Sequence, residues 1–313
     1  MLNLVEDVFM HAAPVPEPVS RYPAMLGPGD RSLYYYAAKS FYKFQGRIVD
    51  AGVFLGGTTN ALIEGMKDNK NFQHATPHKI AIYDRFIVSE PPYQNFILKN
   101  LGKELNLTDS FQSIFTELLG DNSNYIEVFP GDFLSYSYPY DFIEILGLDL
   151  CKSKDLTFHC AREFFPKMKP FKSIAIHQDY VHMWTPWIHV TMEALDKYFI
   201  KTSEIDISAL FVCSNTPSLS DINDALDRLS DNDQALGLMD NAISKVQTPR
   251  AHFALTLAKA KLIADLRSSD AAMDCLTSAS IAGYRGSELP SSDRHGLMYQ
   301  QMKTYIEKSA LVA

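Results

Sequence analysis

The sequence predicts an α/β fold with a mostly parallel seven-stranded sheet, helices on both faces, and a C-terminal helical appendage. Three observations predict it. From residue 46 onward short apolar runs alternate with helical stretches, glycines follow the first apolar run, and after residue 215 only helical periodicity remains. Strands alternating with helices at this spacing imply parallel neighbours joined by right-handed crossovers.

The predicted elements follow this alternation in order. Five parallel strands are predicted at 47–52, 79–84, 125–132, 141–149 and 172–179, and helices at 31–44, 58–66, 93–105, 155–168 and 186–199. The runs FIKTSEI and SALFVC have no helix between them, so we expect an antiparallel hairpin at the sheet edge. The regions 251–267 and 270–282 are predicted to be two further helices.

Three regions divide the chain. Residues 1–45 form a Pro-rich N-terminal arm and a helix, residues 46–215 the ligand-binding domain, and residues 216–313 the helical region. In the last region Ile222, Ala225, Leu226 and Leu229 share one helix face. In the next run a second face is formed by Ala235, Leu238, Met239, Ala242, Ile243 and Val246. The aromatic helix at 31–44 and these C-terminal helices offer surfaces for a homodimer.

Composition excludes several classes of protein. The net charge is −8, from 29 basic and 37 acidic residues, and no Lys/Arg block occurs, which argues against a nucleic-acid partner. The four scattered cysteines indicate reduced thiols rather than disulfides. The first residues are acidic where a signal peptide would be basic, and no apolar run approaches the roughly 20 residues of a membrane span. We therefore expect a cytoplasmic protein with no membrane partner.

A glycine-rich turn follows the first predicted strand. The strand ends at Asp50, and Gly52, Gly56 and Gly57 precede a helix that begins near Thr58. The spacing G-x-x-x-G-G differs from the G-x-G-x-x-G that seats a pyrophosphate, and this favours a ligand such as S-adenosylmethionine. Asp50 has the charge to face the ligand's amino group. The alternative is a tight strand–helix turn without a ligand.

Acidic residues follow the next two strands. Asp84 ends the second strand, where a carboxylate can accept hydrogen bonds from both ribose hydroxyls of an adenosine. The alternative is an aspartate that caps the following loop. Gly131 and Asp132 follow the third strand, and Asp132 could line the adenine side.

With these motifs the chain resembles the macrocin O-methyltransferase-like family. The family reads an acid and then G-V-W-x-G-G after strand one, D-T/S-F after strand two, D-L-Y-E-S-T after strand four and D-D-Y after strand five. This chain has DAGVFLGG (50–57), DRF (84–86), DLCKSK (149–154) and QDY (178–180). The resemblance covers about residues 30–213. It implies a Rossmann-like methyltransferase fold and an S-adenosylmethionine-dependent O-methyltransferase acting on a small hydroxylated acceptor, such as a sugar or secondary metabolite.

The resemblance also implies a divalent metal between the acids after strands four and five. Carried over by position, Asp149 and Asp179 would be ligands and catalytic groups, with Gln178 a third ligand through its amide oxygen. Hard oxygen ligands favour Mg²⁺. Gln178 and Gly147 stand where the family has acids, so we expect weakened metal binding.

A histidine cluster follows the fifth strand. His182 is the favoured general base because its ordinary pKa lies near neutrality, and Trp184 and Trp187 could wall an aromatic or sugar acceptor. His189 lies inside a helix and is expected to be packed. Alternation along the strand places His177 opposite Gln178, so at most one of them points into a site.

Two other functions stay open. The domain could keep only cofactor binding, or only the fold, and act as a binding or scaffold protein through its C-terminal helices. A sugar-nucleotide enzyme is the weaker alternative, since no pyrophosphate-type glycine motif is present.

Overall fold

The computed structural model describes residues 14–75, 78–281, 283–290 and 292–310. Within them seven strands form one sheet in the order β3-β2-β1-β4-β5-β7-β6. The strands are β1 (Arg47–Ala51), β2 (Ile80–Asp84), β3 (Ile126–Pro130), β4 (Ile143–Leu148), β5 (Ile174–His177), β6 (Phe199–Ile205) and β7 (Ser208–Cys213).

Strand pairing confirms the predicted fold class. β1 pairs in parallel with β2 and β4, and β2 pairs in parallel with β3, whereas β6 and β7 are antiparallel. β2 and β4 are buried along almost their whole length, as in a parallel sheet covered on both faces. The result is the mostly parallel, seven-stranded α/β sheet that the sequence predicts, with C-terminal helices following it.

The helices also follow the prediction, with two additions and one shortening. The helix predicted at 270–282 ends at Thr277, and Ser280–Ile281 is a short strand outside the large sheet. The helices are α1 (Glu17–Ser20), α2 (Pro28–Tyr36), α3 (Gly57–Lys67), α4 (Pro91–Leu101), α5 (Gln112–Leu119), α6 (Lys154–Phe164), α7 (Pro186–Ala194), α8 (Leu219–Arg228), α9 (Asn232–Ser244), α10 (Pro249–Leu266), α11 (Ser269–Thr277) and α12 (Arg294–Ser309). The sequence reading missed α5 and α12. In α12 only a narrow stripe of Gly296, Tyr299, Met302 and Ile306 is buried, and most of the helix is polar.

The aromatic helix predicted at 31–44 begins earlier than predicted and changes from an α-helix to a π-helix. It begins at Pro28, whose fixed φ suits the first helical turn, and continues beyond Tyr36 as a π-helix over Ala37–Phe41. The side-chain amide of Asn69 donates to the carbonyls of Ala38 and Tyr42, at 2.9 and 2.8 Å. These two bonds hold the end of the helix.

The described chain separates into two compact units. The first is the chain up to Leu150 together with Lys167–Ile176, and the second is Cys151–Pro166 together with the chain from His177 onward. The predicted boundaries, 46 and 216, divide the chain differently. The two divisions differ because α6 and α7 pack against C-terminal helices. Helix α7 packs against α9 and α10, and both α6 and α7 pack against α8.

Burial confirms the first of the two predicted C-terminal helix faces. Ile222, Ala225, Leu226 and Leu229 are all buried. In the next run Ala235, Met239 and Ala242 are buried, but Leu238, Ile243 and Val246 are only partly buried. The four cysteines are free thiols, as predicted. Among the described residues no helix is both long and apolar enough to cross a bilayer.

A buried carboxylate fixes the chain where it enters β1. Glu144, in β4, accepts backbone N–H bonds from Lys43, from Gln45 at 2.9 Å and from Gly46 at 3.0 Å. Burial raises the pKa of Glu144, against the effect of these hydrogen bonds. Because three backbone amides share one carboxylate, its loss should weaken the entry of the chain into β1.

We therefore expect Glu144→Gln to destabilise the fold. One oxygen becomes an amide N–H₂ facing backbone donors, which costs on the order of 1–3 kcal/mol. Urea denaturation should show this loss, with Glu104→Gln, an exposed substitution in the same unit, as the control. Equal unfolding free energies for the two variants would contradict the anchoring role.

Candidate functional site

A cavity open to solvent lies at the carboxyl ends of β1 and β4. It is lined by Ala24, Met25 and Leu26 from the N-terminal arm, by Gly52, Val53, Phe54, Leu55, Gly57 and Thr58 from the first turn, and by Asp149. From β1 the chain runs outward through β2 to β3 and returns at β4, on the other side of β1. Open α/β sheets bind ligands at such a reversal of strand order.

The first glycine of the turn is required by its surroundings. Gly52 has φ +86°, and a Cβ there would lie 2.6 Å from the backbone carbon of Asp149. Its N–H donates to the carbonyl of Tyr83 at 2.7 Å, and the Asp149 N–H donates to the carbonyl of Ala51 at 2.7 Å. The close approach brings Asp149 against the glycine-rich turn, which the sequence could not show.

Asp84 holds the turn. Its Oδ2 accepts the backbone N–H groups of Val53 and Phe54, at 2.8 and 2.9 Å, and its Oδ1 accepts that of Phe86 at 2.7 Å. A carboxylate has about four acceptor positions, so three bonds leave about one. Backbone amides therefore use most of the acceptor positions of Asp84, and its predicted contact with the ribose hydroxyls stays a prediction.

Asp50 is buried beneath the turn. Only 1% of it is exposed, and its Oδ2 accepts the hydroxyls of Thr58 and Thr59 at 2.8 and 2.7 Å. Burial raises the pKa of Asp50 to about 6, although both hydroxyl bonds oppose the increase. Its observed partners are therefore at the start of α3, and the predicted contact with a ligand amino group stays a prediction.

Phe54, a cavity residue that sequence reasoning missed, has a left-handed backbone with φ +48°. Residues with side chains rarely adopt this conformation. The ring packs against Tyr93, Phe96 and Phe111, with centroids 4.9, 5.7 and 5.3 Å away. The aromatic contacts and the Asp84 hydrogen bond together hold the unusual backbone, a combination with no sequence signature.

In the second unit, the donors predicted for Mg²⁺ already have protein partners. The Asp179 carboxylate pairs with the ammonium of Lys152, and the amide oxygen of Gln178 accepts the hydroxyl of Ser208 at 2.8 Å. Gln178 is buried. Across the described residues, no three His, Cys, Asp or Glu side chains gather in a way that could hold a metal ion. This arrangement does not fit the predicted metal site.

His182 lies in the loop after β5, as predicted. Burial lowers its pKa, against the opposing charge of Asp179, and thereby favours the neutral imidazole. Its Nδ1 accepts the backbone N–H of Trp184 at 3.4 Å, which favours the tautomer with the proton on Nε2. A base acting through Nε2 needs the other tautomer, and therefore needs this long bond to break.

The other residues of the histidine cluster are packed. His177 and Gln178 are both buried, and the His177 ring contacts Phe165 and Phe211. His189 Nε2 lies 2.6 Å from the carbonyl of Tyr180, and burial lowers its pKa to about 4. His189 is thus the packed residue that the sequence predicts.

The remaining predicted residues have local partners. Trp184 packs edge-on against Tyr305 of α12, with ring centroids 5.5 Å apart. The ammonium group of Lys154 lies over the Trp187 ring, 4.8 Å from its centroid, in a cation–π contact. Asp132 begins a short 3₁₀ turn and accepts the N–H of Leu134 at 3.1 Å. The predicted adenine and acceptor contacts of these residues stay predictions.

Solved structures similar to this chain include two methyltransferases. One is the O-methyltransferase NovP, with a TM-score of 0.46 and 14% identity over 62% of this chain and 83% of that chain. The other is a Pyrococcus horikoshii protein assigned as an RNA methyltransferase, with a TM-score of 0.35 and 12% identity over 68% of this chain and 95% of that chain. No family model and no curated protein matches the sequence. The macrocin O-methyltransferase-like assignment therefore remains a resemblance.

Stability should decrease as the pH rises from about 4 to 6 because of Asp50. The unfolded carboxyl releases its proton near its ordinary pKa of about 3.9, whereas the folded one keeps it to about pH 6. The loss, on the order of 3 kcal/mol, is complete above pH 6. Asp50→Asn should remove this component of the pH dependence in urea denaturation. Exposed Asp141→Asn should retain it, and an unchanged profile for Asp50→Asn would contradict the assignment.

Proposed function

We propose that the chain is an S-adenosylmethionine-dependent methyltransferase that methylates a hydroxyl group of a small molecule, such as a sugar or secondary metabolite. The observation that carries the proposal is the cavity at the reversal of strand order, walled by the backbone of the glycine-rich turn. Backbone walls allow close approach of a ligand. The glycine spacing favours a ligand without a pyrophosphate.

The cavity residues fit the parts of this cofactor. Asp84 has one acceptor position left for a ribose hydroxyl, and Asp149 supplies negative charge beside Gly52 for the positively charged groups. The cavity also contacts Gly57 and Thr58 at the beginning of α3, where free backbone amides favour a carboxylate. When bound, the cofactor supplies an electrophilic methyl group.

His182 is the proposed base for the acceptor hydroxyl. Its lowered pKa favours the neutral imidazole that a proton acceptor requires. To accept the proton at Nε2, the ring must also break the Nδ1 hydrogen bond with Trp184 and change tautomer. The proposal includes no metal step, because Asp179 and Gln178 are engaged with Lys152 and Ser208. Positioning of the hydroxyl and removal of its proton are then the work of protein side chains alone.

A second candidate is cofactor binding without methyl transfer. The same two contacts, Lys152 with Asp179 and Ser208 with Gln178, favour it, because they occupy the polar groups that the resemblance assigns to catalysis. In this case the protein would act as a binding or scaffold protein through its C-terminal helices.

Calorimetric titration with S-adenosylmethionine and S-adenosylhomocysteine tests the cofactor site. We expect micromolar binding by the natural chain and about a tenfold or greater loss in Asp84→Asn, because the turn loses an acceptor and the ribose a partner. Asp141→Asn, an exposed control, should bind as the natural chain does. Absence of binding by the natural chain would refute the proposal, and saturable binding of a sugar nucleotide instead would favour that enzyme class.

Turnover separates the two candidates. With a panel of hydroxylated small molecules, we expect S-adenosylhomocysteine release that persists in EDTA and falls about 10²–10⁴-fold in His182→Ala. Cofactor affinity should be unchanged in this variant. Loss of turnover in EDTA would restore the magnesium hypothesis. Cofactor binding without turnover, on a panel that also contains RNA, would favour the scaffold candidate.

A further inference from the structure

One wall of the cavity comes from outside the glycine-rich turn. Ala24, Met25 and Leu26 belong to the arm segment, defined here as residues 16–27, which precedes α2. Met25 is 49% exposed although it lines the cavity. A short irregular segment in this position needs something to hold it in place.

Arg31, in the first turns of α2, provides that support. Its Nη1 donates to the carbonyls of Val19 and Tyr22, at 2.7 and 2.8 Å, and its Nη2 donates to the carbonyl of Ala24 at 3.3 Å. One partly buried guanidinium thus binds three carbonyl groups of the arm segment. Hydrogen bonds from a charged donor are stronger than those between neutral groups.

Three further contacts hold the arm segment against the glycine-rich turn and the beginning of α3. The hydroxyl of Tyr22 donates to the carbonyl of Leu55 at 2.9 Å, and the amide of Asn60 donates to the carbonyl of Pro18 at 2.9 Å. A Cβ at Gly57 would lie 2.3 Å from the Cβ of Ala24, so only glycine permits this approach. The arm segment is therefore fixed at Pro18, at Tyr22 and at Ala24, where the cavity wall begins.

The backbone donors of this wall remain available. The carbonyl of Ala24 accepts from Arg31, but the N–H groups of Ala24, Met25 and Leu26 have no hydrogen-bond acceptor in the part of the chain that the structure describes. Consecutive free N–H groups are suited to an anion. The carboxylate at the amino-acid end of the proposed cofactor is such an anion.

We propose that the arm segment binds that carboxylate through the amides of residues 24–26, and that Arg31 is the positioning residue that holds them there. This inference rests on the proposed function. Arg31 acts only through the arm segment, so its loss should affect ligands with the amino-acid end. A ligand that keeps the adenosine and lacks the amino-acid end should be unaffected.

Two probes distinguish these cases. S-adenosylhomocysteine carries the amino-acid carboxylate, whereas 5′-methylthioadenosine keeps the adenosine and sulfur and lacks it. In Arg31→Met we expect about a tenfold or greater loss of affinity for the first and no change for the second. Arg31→Lys, which keeps a cationic donor, should recover part of the loss. The control is Arg21→Met, because Arg21 is exposed on the same segment and pairs with Glu17. Thermal unfolding confirms that each variant is folded.

The outcomes separate the two proposals. If the natural chain binds neither probe, the proposed function fails first. If it binds both, and Arg31→Met weakens both equally or neither, the cofactor site stands and the role of the arm segment is refuted. If Arg31→Met loses affinity for S-adenosylhomocysteine only, and Arg21→Met loses none, the role of Arg31 and the arm segment is supported.

Discussion

The geometry of the site depends on the three amides that converge on Asp84. The carboxylate joins the end of β2 to the turn that follows β1, and the same turn carries the left-handed Phe54. Burial raises the pKa of Asp84, and the three donors only partly oppose the increase. They act together with the aromatic contacts of Phe54 and with the backbone hydrogen bonds of Gly52 and Asp149, which support the same turn.

The sheet was predictable from sequence because buried parallel strands are continuous apolar runs. All seven strands lie within or match the predicted ranges, and the antiparallel hairpin begins and ends as predicted. Helix α12 was not predictable because its buried stripe is narrow. The domain boundary near 216 followed composition, whereas the observed units follow packing of α6 and α7 against the C-terminal helices.

The site was predictable in its positions but not in its contacts. Sequence places Asp84 after a strand, but it cannot show that backbone amides use most of its acceptor positions. The pairing of Lys152 with Asp179 spans 27 residues, and that of Ser208 with Gln178 spans 30. Arg31 binds backbone carbonyls, which any residue can provide, so no sequence pattern indicates its role.

Gly147 gives the departure from the family motif a physical cause. A Cβ there would lie 2.9 Å from the Tyr34 ring and 3.1 Å from Oδ1 of Asp50. The space that an acidic side chain would need is already filled by an aromatic ring from α2. The order of substitutions therefore matters in any lineage or design that installs an acid at this position. Tyr34 must become smaller first, because an acid at 147 introduced alone meets both a ring and a buried carboxyl.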